Sequence, residues 1–428
     1  MRVLMFGWEF PPHISGGLGT ASYGLTKGMA ACGVDVIFVV PKAWGDEDQS
    51  VVRLIGANNV QVAFKRVFYK GFLRAIDKIE VDSMIVPYTD PEDFWRVSRS
   101  KVASYKLMVQ TNSDGTVDFS GKYDNNLMDE IQKYAVVASV IASENSFDII
   151  HAHDWLAYPA GIAAKEASGK PLVIHVHATD FDRSGGNVNP QVYNIEKMGM
   201  DAADKIITVS NLTRDIVINK YNIDPDKVET VYNAVEPIEL KEESLVRKGF
   251  DEKVVTFLGR ITLQKGPEYF IEAAYKVLKV MNNVRFVMAG SGDMMEKMMR
   301  RAAALKITDR FHFTGFLKGD DVFSMLEMSD VYIMPSVSEP FGISPLEAMQ
   351  SNVPVIISKQ SGVAEILTHA VKTDFWDIDA MADAIYGILN YPDLANMIIK
   401  EGKEEVISLK WDNSAKHVKD IYERVLGY

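Results

Sequence analysis

Short apolar runs rich in β-branched residues recur along the whole chain, each followed by Gly, Asn or Asp and then by a helical stretch. The runs lie at residues 2–7, 34–40, 147–152, 171–176 and 204–210, and again at 254–259, 284–290, 310–316, 330–335 and 353–358. Strands that are apolar throughout are buried on both faces, which is typical of parallel sheets covered by helices. Two series of about five strands therefore predict two doubly wound α/β domains.

The length also favours two domains, because 428 residues are more than one core normally holds. Residues 236–253 are charged and weakly periodic, and they predict a linker. We therefore expect a first domain at 1–236 and a second at 237–410, followed by a last helix within 411–428. Residues 45–125 are less regular and predict an insertion in the first domain.

Charge and composition exclude several classes of protein. The net charge of -12 disfavours nucleic acid and anionic membranes as partners, since both reward a basic surface. The single Cys32 excludes an internal disulfide and a thiolate metal cluster. No apolar run reaches the roughly 18 residues of a membrane helix, and the start lacks the layout of a signal peptide. We expect a cytoplasmic enzyme.

A pair of glycines, Gly16 and Gly17, follows the first strand and precedes a helix. Backbone amides beside glycine can approach an anion closely, and the helix dipole favours negative charge at that point. A tight turn without a ligand explains the same pair equally well.

Two His-x-His pairs end strands of the first domain. They are His151 with His153, and His175 with His177. Alternate residues of a strand share a face, so each pair can present two imidazoles together. A metal site completed by Asp154 or Asp180 is one interpretation. The other is that His153, Asp154 and His177 line a cleft as hydrogen-bonding groups.

Two cations, Arg260 and Lys265, follow the first strand of the second domain. Their spacing keeps both within reach of one diphosphate. A pair of solvated surface charges is the common alternative.

The segment after strand 330–335 carries two carboxylates. Ser344, Pro345 and Glu347 have the spacing of a capping box, so Glu347 can simply close a helix start. Glu339 has no such role, and it precedes backbone amides that can bind an anion. Those amides belong to Gly342, Ile343 and Ser344. A carboxylate beside an anion site suggests a polyol that carries phosphate.

Together these motifs resemble the retaining GT-B glycosyltransferases, in particular the branch of glycogen and starch synthases. The resemblance rests on Glu-x7-Glu around PFGISPLEAM (Glu339 to Glu347), Gly-Arg-x4-Lys (Arg260, Lys265), Gly16-Gly17-Leu18 and His153-Asp154-Trp155. It spans nearly the whole chain. One departure is Ile14, which stands where many bacterial glycogen synthases have the lysine of Lys-x-Gly-Gly-Leu.

The resemblance implies roles for these residues. Arg260 and Lys265 neutralise the donor diphosphate, Glu339 faces the sugar hydroxyls and Glu347 faces the ribose. Further donor contacts come from Gly16, Gly17 and the amides of Gly342, Ile343 and Ser344. Phe316 and Leu317, after Gly315, are expected near the nucleobase. His177 bonds the sugar 6-hydroxyl or the reacting region, and Asp154 shapes the acceptor side.

The implied fold is GT-B, with two Rossmann-like domains that face each other across a cleft and a last helix that returns to the first domain. The implied reaction is retaining transfer of a hexose, glucose in the first place, from ADP-glucose or UDP-glucose to an α-glucan. No metal or other cofactor is expected.

Three alternatives stay open. The basic and aromatic segment 64–80 favours a lipid or cell-envelope glycan as acceptor. A metal-dependent hydrolase would use the His-x-His pairs. A catalytically silent glycan-binding module would keep the fold without the reaction.

Overall fold

The structure is a computed structural model that describes residues 1–13, 16–62, 111–123, 126–237 and 248–428. The chain divides into two compact units. The first comprises Met1–Asp180, Asn187–Ala234 and Trp411–Tyr428, and the second comprises Phe181–Gly186 and Val235–Lys410.

The first unit is built on a seven-stranded sheet in the order β3-β2-β1-β4-β5-β6-β7, with every pairing parallel. The strands are β1 Arg2–Phe6, β2 Asp35–Val40, β3 Arg53–Gly56, β4 Ile149–His153, β5 Leu172–Val176, β6 Lys205–Thr208 and β7 Val228–Thr230. Its central strands β4 and β5 are buried along their whole length. This burial is the reason for their unbroken apolar sequence.

Helices connect and cover these strands. They are α1 Gly17–Ala31, α2 Leu127–Glu144, α3 Asp154–Ser168, α5 Pro190–Ala202 and α6 Asn211–Tyr221. The short helix α4 Asp180–Arg183 lies at the boundary, and its last three residues belong to the second unit. Two of the starts follow from local sequence, because Asn189 accepts a hydrogen bond from the Gln191 amide and Ser210 from that of Thr213.

The second unit contains a six-stranded parallel sheet in the order β10-β9-β8-β11-β12-β13. Its strands are β8 Lys253–Leu258, β9 Val284–Ala289, β10 Phe311–Gly315, β11 Val331–Met334, β12 Val355–Ser358 and β13 Val371–Thr373. Its helices are α7 Pro267–Leu278, α8 Met295–Ala304, α9 Asp320–Glu327, α10 Ser344–Gln350, α11 Ile378–Asn390 and α12 Pro392–Ile407. The core between sheet and helices is centred on Phe257, Phe270 and Phe286.

The last helix, α13 Trp411–Leu426, belongs to the first unit and packs on α1. The two helices approach closely at Gly24 and Gly28. A Cβ atom at Gly24 would lie 2.3 Å from Nε1 of Trp411, and one at Gly28 would lie 2.7 Å from the Trp411 carbonyl oxygen. Only glycine allows this approach, so the glycines of α1 determine where the chain end docks.

The predicted fold class of two doubly wound α/β domains is confirmed, and each of the ten predicted runs contains a strand. Three strands were missed, namely β3, β7 and β13. They are only three or four residues long and lie at sheet edges, where partial exposure removes the continuous apolar signal. One of them, β3 Arg53–Gly56, pairs with β2 within the segment 45–125 that was expected to be an irregular insertion. Residues 63–110 of that segment lie outside the described residues, so the insertion stays a prediction.

Several predictions fall outside the described residues: those on Ile14 and segment 64–80, and most of the expected linker. Within the described ranges, no helix is both long enough and apolar enough to cross a membrane.

Candidate active site

The order of strands in the second sheet reverses between β8 and β11, which pair directly. Loops that leave neighbouring strands in opposite directions open a crevice at such a point, and ligands of doubly wound sheets bind there. The loop after β8 carries Arg260 and Lys265, and the loop after β11 carries Glu339. The structure thus places two loops that carry three of the predicted residues at the ends of adjacent strands.

Lys265 and Glu339 form a salt bridge between Nζ and Oε2. The Ser336 hydroxyl donates a second hydrogen bond to the same carboxylate oxygen, at 3.2 Å. Glu339 is only 6% exposed, and its backbone is held by the Gln360 carbonyl and the Gly362 amide, both at 2.9 Å. The carboxylate is therefore fixed in position, with its charge compensated by the lysine.

The position of Lys265 depends on Gly266. Lys265 ends a 3₁₀ turn over Leu263–Lys265, and Gly266 follows with φ of +65°. A Cβ atom at Gly266 would lie 2.1 Å from the Pro335 carbonyl oxygen. Glycine therefore lets the loop after β8 lie directly against the end of β11, within reach of Glu339.

Arg260 lies on a loop that is tied to the loop after β9. The Gly259 amide donates to the Ala289 carbonyl and the Ile261 amide to the Ser291 carbonyl, each at 2.9 Å. Arg260 itself is half-buried. The backbone on both sides of Arg260 is thus fixed by hydrogen bonds to the end of β9 and the loop that follows it.

The start of α10 differs from the predicted capping box. Ile343 is the N-cap residue, and no side chain caps the helix. Ser344 is already helical, and its hydroxyl is hydrogen-bonded with the Tyr332 hydroxyl. The capping function of Glu347 was therefore wrong, because the serine of the expected box is engaged elsewhere.

Glu347 is partly buried, and burial raises the pKa of its carboxyl to about 7. The described residues contain no hydrogen bond to this carboxylate. No described residue accepts a hydrogen bond from the backbone amides of Gly342, Ile343 and Ser344. The loop and the first turn of α10 thus present amide donors beside a carboxyl group that titrates near neutral pH.

Phe316 and Leu317 lie at the far edge of the second sheet, after β10. Phe316 is 52% exposed, and Lys318 Nζ lies 5.7 Å from its ring centroid. Leu317 instead packs against a buried cluster that includes Val254 and Val287. Phe316 is accessible for stacking, whereas Leu317 mainly supports the fold.

In the first unit the two His-x-His pairs form one cluster. The rings stack along each strand at 4.4 Å between centroids, and His153 and His175 are 5.4 Å apart across the strands. His153 Nδ1 lies 2.8 Å from His177 Nε2, and His151 Nδ1 is hydrogen-bonded with the Tyr422 hydroxyl of α13.

Burial lowers the pKa of all four histidines, and that of His151 falls to about 3. The imidazoles are therefore neutral at physiological pH. Four ring nitrogens have no hydrogen-bond partner within the described residues, namely Nε2 of His151, Nε2 of His153 and both nitrogens of His175. His151, His153 and His175 each offer one ligand atom, all within 4.8 Å of one another, so these three can hold a metal ion.

Asp154 links β4 to the loop after β5. Its φ of +59° is unusual for a residue other than glycine, and its carboxylate accepts hydrogen bonds from the amides of His177 (2.7 Å) and Ala178 (3.3 Å). Asp154 is 5% exposed. In this structure it positions the backbone of His177.

Gly16 and Gly17 begin α1, with Gly16 as the N-cap residue. Both are exposed, and a Cβ atom at either would meet no atom within 4 Å. Neither packing nor a positive φ requires glycine at these positions, so the pair is free for the close approach of a ligand.

Comparison with known proteins finds matches to two glycosyltransferase families. The model described as Glycosyl transferases group 1 matches residues 241–405, and the model described as Glycosyltransferase Family 4 matches residues 125–238. The chain is a glycosyltransferase.

Two relatives match this glycosyltransferase over nearly its full length. An uncharacterized glycosyltransferase of Methanocaldococcus jannaschii is 28% identical over 99% of this chain and 98% of its own. A glycogen synthase of Mycobacterium tuberculosis is 23% identical over 99% and 94%. Among solved structures, sucrose-phosphate synthase from Thermosynechococcus elongatus matches with a TM-score of 0.73 at 17% identity, over 99% and 98% of the two chains. The fold is that of the GT-B enzymes.

Two contacts of the glycosyltransferase had no signal in its sequence. Ser336 holds Glu339, but a serine three residues before a glutamate is too common to notice. Tyr422 reaches His151 from a helix 271 residues away in the chain. Only the tertiary structure shows either partner.

Proposed function

We propose that this glycosyltransferase is a retaining hexosyltransferase that moves glucose from ADP-glucose or UDP-glucose to an α-glucan. The observation that carries the proposal is the largely buried Lys265–Glu339 pair at the point where the strand order of the second sheet reverses, with Arg260 on the same loop as Lys265. The similarity to a glycogen synthase over almost the whole chain supports the choice of glucose and glucan.

The charges of the second unit suit a nucleoside diphosphate leaving group. As the bond from the anomeric carbon to phosphate breaks, negative charge grows on the diphosphate, and fixed cations stabilise it where it develops. Arg260 and Lys265 supply those cations. The amides before α10 supply further donors for the phosphate or the sugar.

Glu339 is assigned to the donor sugar. Its carboxylate is held by Lys265 and Ser336, so it can accept hydrogen bonds from sugar hydroxyls without moving. Glu347, whose pKa is raised to about 7, is assigned to the ribose hydroxyls. In the first unit, Gly17, His177 and Asp154 lie at the ends of strands or the start of α1, and we assign them to the reacting sugar and the acceptor.

Retention follows from a displacement on one face of the sugar. The acceptor oxygen bonds to the anomeric carbon as the carbon–phosphate oxygen bond breaks, and the acceptor proton passes to the departing phosphate oxygen. Retaining glycosidases instead use a carboxylate nucleophile. Glu339, paired with Lys265, is a poor candidate for that part. No metal is required in this scheme, because Arg260 and Lys265 supply the positive charge.

A donor screen tests the proposal. Thermal shift with ADP-glucose, UDP-glucose and GDP-mannose identifies the nucleotide, and incorporation of labelled glucose into glycogen or malto-oligosaccharides tests the acceptor. Linkage analysis by NMR should show an α product. A β product would contradict retention, and label that appears only in lipid would favour the lipid or cell-envelope acceptor.

The histidine cluster favours one second candidate, a metal-dependent hydrolase. Three neutral, buried imidazoles are chemically suitable for zinc. Elemental analysis of purified protein and transfer assays with and without EDTA separate the two functions. Stoichiometric metal together with no transfer in either assay would favour the hydrolase.

A further inference from the structure

A small cavity of about 70 Å³ lies in the first unit, where β1 and β2 end. This edge of the sheet is next to the reversal of strand order between β1 and β4, where ligands are expected. The cavity is lined by apolar rings and by charged groups. The lining residues used below are Trp8, Glu9, His13, Lys42, Trp44 and Glu47.

One of the lining residues, Trp8, has an unused hydrogen-bond donor. Trp8 is 3% exposed, and its Nε1 has no partner among the described residues. Burial of an N–H group without a hydrogen-bond partner costs free energy. A ligand that supplies an acceptor atom therefore gains binding free energy at this site. Glu9, also buried, contributes to the lining a carboxylate that accepts a hydrogen bond from the Tyr123 hydroxyl. A ligand hydroxyl oxygen that reaches Trp8 Nε1 would satisfy the indole donor.

The rim of the cavity carries a large exposed ring. Trp44 is 49% exposed, although its loop is firmly held, because the Glu47 carboxylate accepts hydrogen bonds from the amides of Trp44 (2.5 Å) and Gly45 (2.9 Å). A rigid, exposed indole loses little conformational freedom on binding. It offers an apolar surface on which the C–H face of a sugar ring can pack.

Two side chains now lie against the indole of Trp44. The ring of His13 stacks on it at 5.0 Å between centroids, and Lys42 Nζ lies 4.1 Å from its centroid. A cation–π contact at a partly exposed site is weak, so a ligand can displace the ammonium group. The displaced lysine remains beside the ligand as a hydrogen-bond donor.

The charge of the site argues against a phosphorylated ligand. Glu9 and Glu47 line the cavity, and Asp46 lies next to it, 2.7 Å from His13 Nε2. Against these three acids stands the ammonium group of Lys42. The excess of carboxylates repels a phosphate and accepts hydrogen bonds from neutral hydroxyls.

We propose that the Trp44 cavity is a subsite for one neutral pyranose unit of the acceptor. The inference rests on the proposed function, which it deepens by naming the acceptor-binding surface. The volume of the cavity admits only the edge of one sugar ring, such as a hydroxymethyl group, while the rest of the sugar lies on Trp44. Longer glucans then bind through a unit some distance from the reacting end.

Fluorine NMR tests the subsite without any turnover. The chain has six tryptophans, which 5-fluorotryptophan labelling converts to six probes. Trp44→Phe assigns the resonance of interest. Trp376 is the matched control, because it is 57% exposed and lies in the second unit. We expect maltoheptaose to shift the Trp44 resonance and leave that of Trp376 unchanged.

Two further probes sharpen the result. Glucose 1-phosphate should bind at the Trp44 resonance about tenfold more weakly than maltoheptaose, because of the acidic lining. Trp44→Leu should raise the Kd of maltoheptaose about tenfold, the loss of one aromatic anchor, whereas Trp376→Leu should not change it. Equal shifts at both tryptophans, or tighter binding of glucose 1-phosphate, would overturn the proposal.

Calorimetric titration with ADP and UDP tests the proposed function separately from the Trp44 subsite, because the expected nucleotide site is in the second unit. Nucleotide binding with no shift at Trp44 overturns the subsite and leaves the transferase assignment intact. If neither nucleotide binds, the proposed function fails, whatever the Trp44 resonance does.

Discussion

Lys265 and Glu339, 74 residues apart in sequence, form a largely buried ion pair where β8 and β11 lie side by side. The pair joins the two loops that carry most of the expected donor contacts. We therefore expect the pair to have both a structural and a chemical role, and substitution can separate the two.

Lys265→Ala should lower both stability and transfer. Removing the ammonium leaves the 6%-exposed Glu339 without its counter-charge, which should cost about 3 kcal/mol, because breaking buried pairs costs roughly 3–5 and Lys265 is only partly buried. Transfer should fall by two to three orders of magnitude, on the scale of one preorganised charge. Urea unfolding and an initial-rate assay measure the two effects.

The double variant Lys265→Ala/Glu339→Gln distinguishes these effects. It removes both charges, so much of the stability should return while transfer stays low. Lys276→Ala is the control, because its pair with Asp379 is exposed and should be worth no more than about 1 kcal/mol. If the double variant regains transfer as well, Lys265 has only a structural role.

Arg260→Ala should reduce kcat by roughly two to three orders of magnitude and barely change the free energy of unfolding, since Arg260 is a half-buried loop residue. Arg300→Ala is the matched control, because its side chain is 77% exposed on α8. Steady-state kinetics with saturating glycogen measure the change. Normal turnover of the Arg260 variant would remove this residue from the diphosphate site.

Glu347 should make donor binding depend on pH around neutrality. Its pKa is raised to about 7, so the carboxylate forms only as pH rises through that value, and the Kd of the donor should fall from pH 6 to pH 8. Glu347→Gln should flatten this dependence. Calorimetric titration at several pH values measures it, and an unchanged pH profile in the variant would exclude a contact with the ribose.

The same raised pKa has a consequence for stability. Between the usual carboxyl pKa of 4.5 and about 7, the folded protein holds the Glu347 proton more tightly than the unfolded chain. The contribution of Glu347 to the free energy of unfolding therefore falls as pH rises across this interval, by at most about 3 kcal/mol. Glu347→Gln should remove that fall in urea unfolding at pH 5 and pH 8.

The sequence predicted the class of fold because buried parallel strands need continuous apolar runs, as in β4 and β5. It missed Arg53–Gly56 because an edge strand with partial exposure needs no such run. It also predicted that Arg260, Lys265 and Glu339 belong together, since each follows a strand whose carboxyl end lies at the same edge.

The details of the site were less accessible. A capping box was predicted for Ser344 and Glu347, but residue spacing cannot show that Tyr332, on a neighbouring strand, hydrogen-bonds with the serine. The His-x-His pairs were recognised separately. Their union into one stack depends on the register that pairs His153 with His175, which is a property of the sheet.

The last prediction concerns His175, a fully buried imidazole with two unpartnered ring nitrogens in the described part of the chain. Burial lowers its pKa well below 6.5, so the unfolded chain binds a proton that the folded protein does not. Stability is therefore lost as pH falls below about 6.5, by up to roughly 1.4 kcal/mol per pH unit for each such histidine. His175→Leu should be neutral or stabilising at pH 7, and its unfolding free energy should fall less than that of the native protein between pH 6.5 and 5.5.

His151→Leu is the matched variant, and it should cost about 1–3 kcal/mol because it leaves the buried Tyr422 hydroxyl without its partner. A metal held by His151, His153 and His175 would instead make His175→Leu destabilising, and EDTA would abolish the difference between this variant and the native protein.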